Sequence, residues 1–149
     1  MLYDFLDQHR IELVDRCRQK VDDRTPGMPQ RELAHGVTPF LDQLIRTLRL
    51  EDDSEPGEAR KISGPAGGQV APSEIGGTAS AHGRELHRHG FSVEDVVHDY
   101  GDLCQAITGL AVERGVEVST DEFRTLNRCL DNAIADAVTE FSAQREATV

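Results

Sequence analysis

Tryptophan is absent from this chain, and aromatics make up only 5% of it. A core with few large rings must come mainly from Leu, Val, Ile and Ala, which suits helical bundles and leaves strand signals scarce. Cysteine is also sparse. Cys17, Cys104 and Cys129 are odd in number, far apart and each set in a helical pattern, which fits neither a disulfide framework nor a zinc ribbon. They read as reduced, structural thiols. No apolar run approaches the ~20 residues of a bilayer span, and the amino terminus shows no basic-then-apolar leader. Bases are outnumbered, with 16 Lys and Arg against 27 Asp and Glu and a formal net charge of −11. That balance repels phosphate backbones and anionic bilayers, so neither nucleic acid nor membrane is an expected partner. The expectation is a cytoplasmic protein.

Motifs of catalysis are missing as well. There is no glycine-rich loop between a strand and a helix, no Gly-x-Ser-x-Gly elbow, no His-Glu-x-x-His and no nucleotide-lid motif of a kinase. Gly67-Gly68 and Gly76-Gly77 fall in a loop and at a weak helix start, where they cannot cradle phosphate. Neither enzymatic activity nor a cofactor is expected of this chain alone.

What the chain does contain is helical periodicity, clearest from His89 to Phe141. Val93, Val96, Val97, Tyr100, Leu103, Cys104, Ile107, Leu110 and Ala111 recur at three- and four-residue spacing, which places them on one stripe of a helix. Phe123, Leu126, Leu130, Ile134, Ala137 and Phe141 repeat the pattern. Ser92 with Asp95, and Ser119 with Glu122, are N-terminal capping signatures, and Gly115 is a left-handed stop between the two helices. The stretch reads as a helical hairpin on which the fold centres.

Upstream, Leu2, Phe5, Leu6, Leu13, Cys17 and Val21 predict one amphipathic helix to about Arg24, ended by Thr25-Pro26-Gly27-Met28-Pro29. A second helix is predicted from near Pro29 to Leu50, with Leu33, Val37, Phe40, Leu41, Leu44, Ile45 and Leu48 inward. Gly36 and Thr38-Pro39 interrupt it: either the helix kinks there, or Thr38 caps a fresh helix with Pro39 in its first position. Residues 51–72 are rich in Glu, Asp, Gly, Pro and Ser, with Ile62 and Val70 isolated, and read as an exposed, flexible loop. From Ser73 to His89 a short, weak helix puts Ile75, Ala79, His82, Leu86 and His89 on one face. The last helix shows no terminator after Phe141. The predicted fold class is therefore all-α: residues 1–149 as one domain, a single antiparallel bundle of about five helices with a long exposed loop.

Four of the six histidines lie between His82 and His98. His82 and His89 share a helical face and His9 is a conceivable third ligand, but the spacing is not diagnostic of metal or haem, and no metal is expected. His98 lies with Asp102 and Gln105 on the face opposite the core stripe, where it is an alternative phosphoacceptor. Its sequel Asp99-Tyr100-Gly101-Asp102 lacks the residues of a kinase phosphoacceptor helix, and His82-Gly83-Arg84-Glu85-Leu86 departs from the phosphotransfer pattern. Tyr100 and Asn127 sit in or near the apolar seams of the hairpin. Buried side chains of these types need partners, so Tyr100, Asn127 and His82 are the candidates to line a ligand pocket.

The segments His82-Gly83-Arg84-Glu85-Leu86, Gly90-Phe91-Ser92-Val93-Glu94-Asp95-Val96-Val97-His98-Asp99-Tyr100-Gly101-Asp102-Leu103-Cys104-Gln105-Ala106 and Asp121 to Ala135 resemble the amino-terminal sensory domain of certain bacterial sensor histidine kinases. That domain is in turn similar to the amino-terminal region of RsbRD-type stress-signalling co-antagonists. The resemblance covers most of the chain outside residues 51–72. It implies an all-helical input domain of a two-component system, with a downstream kinase module or signalling protein as partner, and it names no ligand or catalytic residue. A homodimer is expected, with the small-residue face around Gly101, Gln105 and Gly109 admitting a neighbouring helix. The alternatives are a histidine phosphotransfer protein and a ligand-free dimerisation module.

Overall fold

The computed structural model describes residues 1–26, 36–68 and 73–148. Over these residues the chain forms seven helices and no strand: α1 (Leu2–Gln8), α2 (Arg10–Arg24), α3 (Val37–Asp52), α4 (Pro56–Ser63), α5 (Glu74–Arg88), α6 (Val93–Glu113) and α7 (Thr120–Ala147). They enclose one core of Leu, Ile, Phe and Ala side chains drawn from every helix. The all-α bundle is the one the periodicity predicts, and the two additional helices have separate origins. The helix expected over Leu2–Arg24 is divided at His9, whose φ is −112 and ψ 21. Its hydrogen bonding nevertheless continues, since the His9 amide donates to the Phe5 carbonyl and the Leu13 amide to the His9 carbonyl.

The second addition, α4, corrects the reading of residues 51–72 as loop. Pro56 opens this helix, where its missing N–H is harmless. Ala59, Ile62 and Ser63, at i, i+3 and i+4, are all buried. A two-turn helix has too little periodicity to stand out in sequence, and polar groups on α7 hold it. The Asn132 amide donates to the carbonyls of Ser63 at 2.8 Å and Pro65 at 3.0 Å, satisfying backbone acceptors at the helix end. Arg128 donates to the Ser63 hydroxyl at 3.1 Å and pairs with Glu51, which also accepts from Thr125 at 2.5 Å. Replacing Asn132 by Ala is expected to cost about 1–2 kcal/mol, the penalty of leaving buried carbonyls unpaired. Hydrogen exchange should show α4 opening first; unchanged protection there would refute its tethering by Asn132.

The start of α3 is the second correction. Gly36 is the residue before the helix, Val37 is first, and Thr38 makes no capping bond. Pro39 thus falls third, still in the turn whose amides have no intrahelical partner. The expected beginning near Pro29, with Leu33, and the end of the loop, with Val70, lie outside the described residues.

The hairpin α6–α7 forms as predicted. Both capping boxes are complete: the Asp95 amide donates to the Ser92 hydroxyl at 3.3 Å and the Ser92 amide to Asp95 at 2.9 Å, and the Ser119–Glu122 pair repeats this at 3.1 and 3.0 Å. Gly115 has φ +66, the left-handed stop the sequence requires. Three stripe members turn out exposed, Val93 at 36%, Val97 at 40% and Phe123 at 43%. They mark the edges where the stripe runs wider than its partners.

Glu122 does more than cap, because its second oxygen accepts from the Leu2 amide at 2.8 Å and ties α1 to α7. Partial burial pulls its carboxyl up, but the amides of Ser119 and Leu2 together with the Ser119 hydroxyl outweigh that and hold it below the ordinary carboxylate range. A depressed carboxyl contributes stability that is present above the unfolded-state value of about 4.3 and lost as pH falls through the folded value. Glu122→Gln should flatten this acid limb in urea melts; an unaltered limb would show that the contact contributes nothing.

α7 packs more extensively on α5 than on its hairpin partner α6. Arg84 pairs with Glu140 at 3.3 Å and the His87 ring sits edge-on to Phe141 at 5.3 Å, while Asp136 lies against Gly76 at the other end, so α5 and α7 run parallel. They approach most closely at Gly83, where an added Cβ would stand 2.2 Å from the Ala137 carbonyl oxygen. Gly76 and Gly83 of the weak third pattern are therefore contact residues, whereas Gly77 faces open space. Among the described residues, no helix is long and apolar enough to cross a membrane.

Candidate functional site

Three acids of α6, Asp95, Asp99 and Asp102, are spaced by four and three residues and so share one helical face. Left alone, that stripe would repel itself. In the fold it meets Arg24, the last residue of α2, whose guanidinium lies 3.5 Å from Asp95, 3.3 Å from Asp99 and 2.8 Å from Asp102. The three carboxylate side chains are only 12–14% exposed and the arginine 24%. Ion pairs so withdrawn from water are screened little by salt. Asp95 serves two purposes, capping α6 with one oxygen and facing Arg24 with the other.

His82, in the middle of α5, completes the cluster. Its Nε2 lies 3.0 Å from Asp99 Oδ2, and because a carboxylate only accepts, Nε2 carries the proton. Asp99 thereby takes His82 on one oxygen and Arg24 on the other, joining α5, α6 and α2 through one side chain. The imidazole is 3% exposed and stands edge-on to the Tyr100 ring at 5.8 Å, which in turn meets Phe40 of α3 at 5.4 Å. An added Cβ on Gly36 would come within 3.0 Å of the imidazole Cε1, so a glycine before α3 lets that helix start against the ring. Burial pushes the Tyr100 hydroxyl well up, with Asp99, Glu85 and Asp136 adding to the effect, so the phenol stays protonated. Burial also pushes the Cys17 thiol up to about 12, helped by Asp102 and Asp99. Cys17 faces the cluster as a neutral, unreactive group.

Of the three predicted pocket residues, the fold brings His82 and Tyr100 into contact and leaves Asn127 out. Asn127 is exposed on α7, and the expectation that it sits near the seam is corrected: the asparagine facing inward is Asn132, held by α4. The five-residue offset turns the side chain to the opposite side of the helix. His98 is exposed on α6, as expected, but Asp102, read as its companion on the outer face, is 9% exposed and bonded to Arg24. His9 stacks on Phe5 at 4.8 Å and lies 3.7 Å from Glu12. Among the described residues, no group of three or more His, Cys, Asp or Glu side chains is arranged to hold a metal ion.

Sequence reasoning missed Arg24 and the aspartate stripe. The signal was present, since three acids on one helical face call for a cation, but nothing local says which of the 16 basic residues supplies it. Comparison of the chain with protein-family models, with curated proteins and with solved structures returns no match.

Proposed function

We propose that this chain is a sensory or regulatory domain of a bacterial histidine kinase signalling system, acting in the cytoplasm and without catalysis of its own. The observation that carries the reading is the resemblance of the His82–Leu86, Gly90–Ala106 and Asp121–Ala135 segments to the input domains of such kinases. The cluster around Asp99 supports it physically. A charged joint shared by three helices is an element whose packing a ligand or partner can bias, which is what transmission between distant sites demands. The partner is then a downstream kinase module or signalling protein. A second copy packs on the outer face of α6, where Gly101 and Gly109 leave open space for a neighbouring helix.

The test is made in a chain that joins this domain to a kinase module. Deleting the domain is expected to change autophosphorylation under the conditions to which the system responds. Identical autophosphorylation with and without it, across those conditions, would end the input role. The phosphotransfer reading attaches to His98 alone, because His98 is exposed and His82 is buried. It requires an acid-labile phosphate that disappears in His98→Gln.

A further inference from the structure

We propose that the outer face of the α6–α7 hairpin is a homodimer interface, with the two-fold axis running along the hairpin so that α6 of each copy lies on α7 of the other. The starting point is where exposed apolar surface falls. Six large apolar side chains of the described residues are exposed, and four of them, Val93, Val97, Val112 and Phe123, belong to α6 and α7. Helical spacing gathers them. Val93, Val97, Cys104 and Thr108 follow one another at intervals of four, seven and four on the flank of α6 opposite the aspartates that meet Arg24. Phe123, Asn127, Ile134 and Val138 repeat those intervals on α7, away from the Thr125, Arg128 and Asn132 side chains that hold Glu51 and α4. With α2 beside one helix and α4 beside the other, the two flanks adjoin along the seam of the hairpin. All eight residues are exposed or half-buried.

A second copy of this chain is the occupant that the charges select. Each copy carries −11, so two approach only where carboxylates are absent or matched. Between Glu94 and Glu113 the carboxylates of α6 all face Arg24, and the outward row from Val97 through Gly101 and Thr108 to Val112 is uncharged. A partner chosen by opposite charge finds nothing there to pair with. The α7 side of the face carries Arg124 and Asp131, and neither makes a hydrogen bond or ion pair among the described residues. The proposed axis gives both a counterpart. Because the hairpin is antiparallel, Arg124 stands level with the last turn of α6, the negative end of a helix dipole that has no basic residue of its own there. Asp131 stands level with Gly101 and Gln105, and the Gln105 amide of the other copy can donate to it. Turning the second copy end for end sets α7 on α7, with Asp131 near its own counterpart. From Val93 to Val112 the face is about 29 Å long, and two helices about 9 Å apart make it roughly 18 Å wide. It therefore offers about 500 Å² per copy and about 1,000 Å² in all, the lower limit of a specific interface, which corresponds to a reversible dimer with Kd of about 10–100 μM.

The inference deepens the second-copy contact of the signalling reading and rests on that reading for its use, but the two are tested apart. Autophosphorylation reads the signal; sedimentation equilibrium of the purified chain reads only the dimer. Between about 5 μM and 1 mM the wild type should pass from monomer mass to dimer mass, and more readily at higher salt, which screens the repulsion between two acidic copies. Val97→Glu should weaken the dimer at least about tenfold by placing a carboxylate in the seam. Ile11→Glu, at an exposed apolar side chain of α2, should leave it unchanged. Gln105→Lys should tighten it about threefold, the gain of a partly exposed ion pair with Asp131 of the other copy formed twice. A wild-type chain that keeps monomer mass at the highest concentration would overturn the proposal. So would a dimer that survives Val97→Glu, one that dissociates in Ile11→Glu, or one that Gln105→Lys weakens. All three substitutions fall on exposed positions, and the wild-type measurement stands whether or not a variant folds.

Discussion

Gly83→Ala should lower stability by about 3 kcal/mol, at the upper end of overpacking penalties, and the melting temperature by roughly 10 °C. The direction is opposite to what helix propensity alone expects, since alanine in a helix interior is better than glycine by about 1 kcal/mol. What reverses the sign is the approach of α7. The new Cβ would lie 2.2 Å from the carbonyl oxygen of Ala137, 3.1 Å from its carbonyl carbon and 3.2 Å from its Cα. All three are backbone atoms, so no side-chain rotation relieves the clash and the helix axes must separate. That separation opens the most extensive helix contact in the fold. Gly77→Ala, on the same helix, is the control, because its added Cβ meets nothing within 4 Å. It should be neutral or stabilising. A Gly83→Ala protein that melts at or above the wild-type temperature would mean that α5 and α7 do not meet as described.

The second large effect is expected at Arg24. Arg24→Ala strands three carboxylates on one face of α6, each mostly withdrawn from water, and deprives Asp99 and Asp102 of hydrogen bonds at 3.3 and 2.8 Å. Removing one partner of a buried ion pair costs about 3–5 kcal/mol, and the lower figure applies here because the guanidinium keeps some contact with solvent. Asp102→Asn combined with Arg24→Ala should lose less than the sum of the two single changes, since the repulsion that the first change creates is partly removed by the second. Urea unfolding measures all three. A loss under about 1 kcal/mol for Arg24→Ala, the range of exposed pairs, would show that the cluster is an ordinary surface network. Additivity in the double variant would show that Arg24 and Asp102 do not interact.

These two expectations concern residues that a linear reading treats as unremarkable. In the weak third pattern the glycines look like helix defects, and Gly83 discloses its purpose only when Ala137, more than fifty positions later, is placed against it. Arg24 looks like one charge among many on an amphipathic helix, and its aspartates lie more than seventy positions away. α4 shows the same limit from the other side: Ala59 and Ile62 are too few to announce a helix, and the polar groups of Asn132 and Arg128 that secure its end come from α7.

Rules that act within one or two turns were legible from the residue string. The two capping boxes, the left-handed Gly115, the stripes of α6 and α7 and the absence of strand patterns follow from backbone hydrogen bonding and helical spacing, which involve only neighbours in sequence. The tertiary fold alone decided where the edge of each stripe falls, why Asp102 is buried while His98 is exposed, and which asparagine of α7 turns inward. Those outcomes depend on which helix lies alongside and how closely it approaches, and that is settled by burial and charge pairing between segments far apart in the chain.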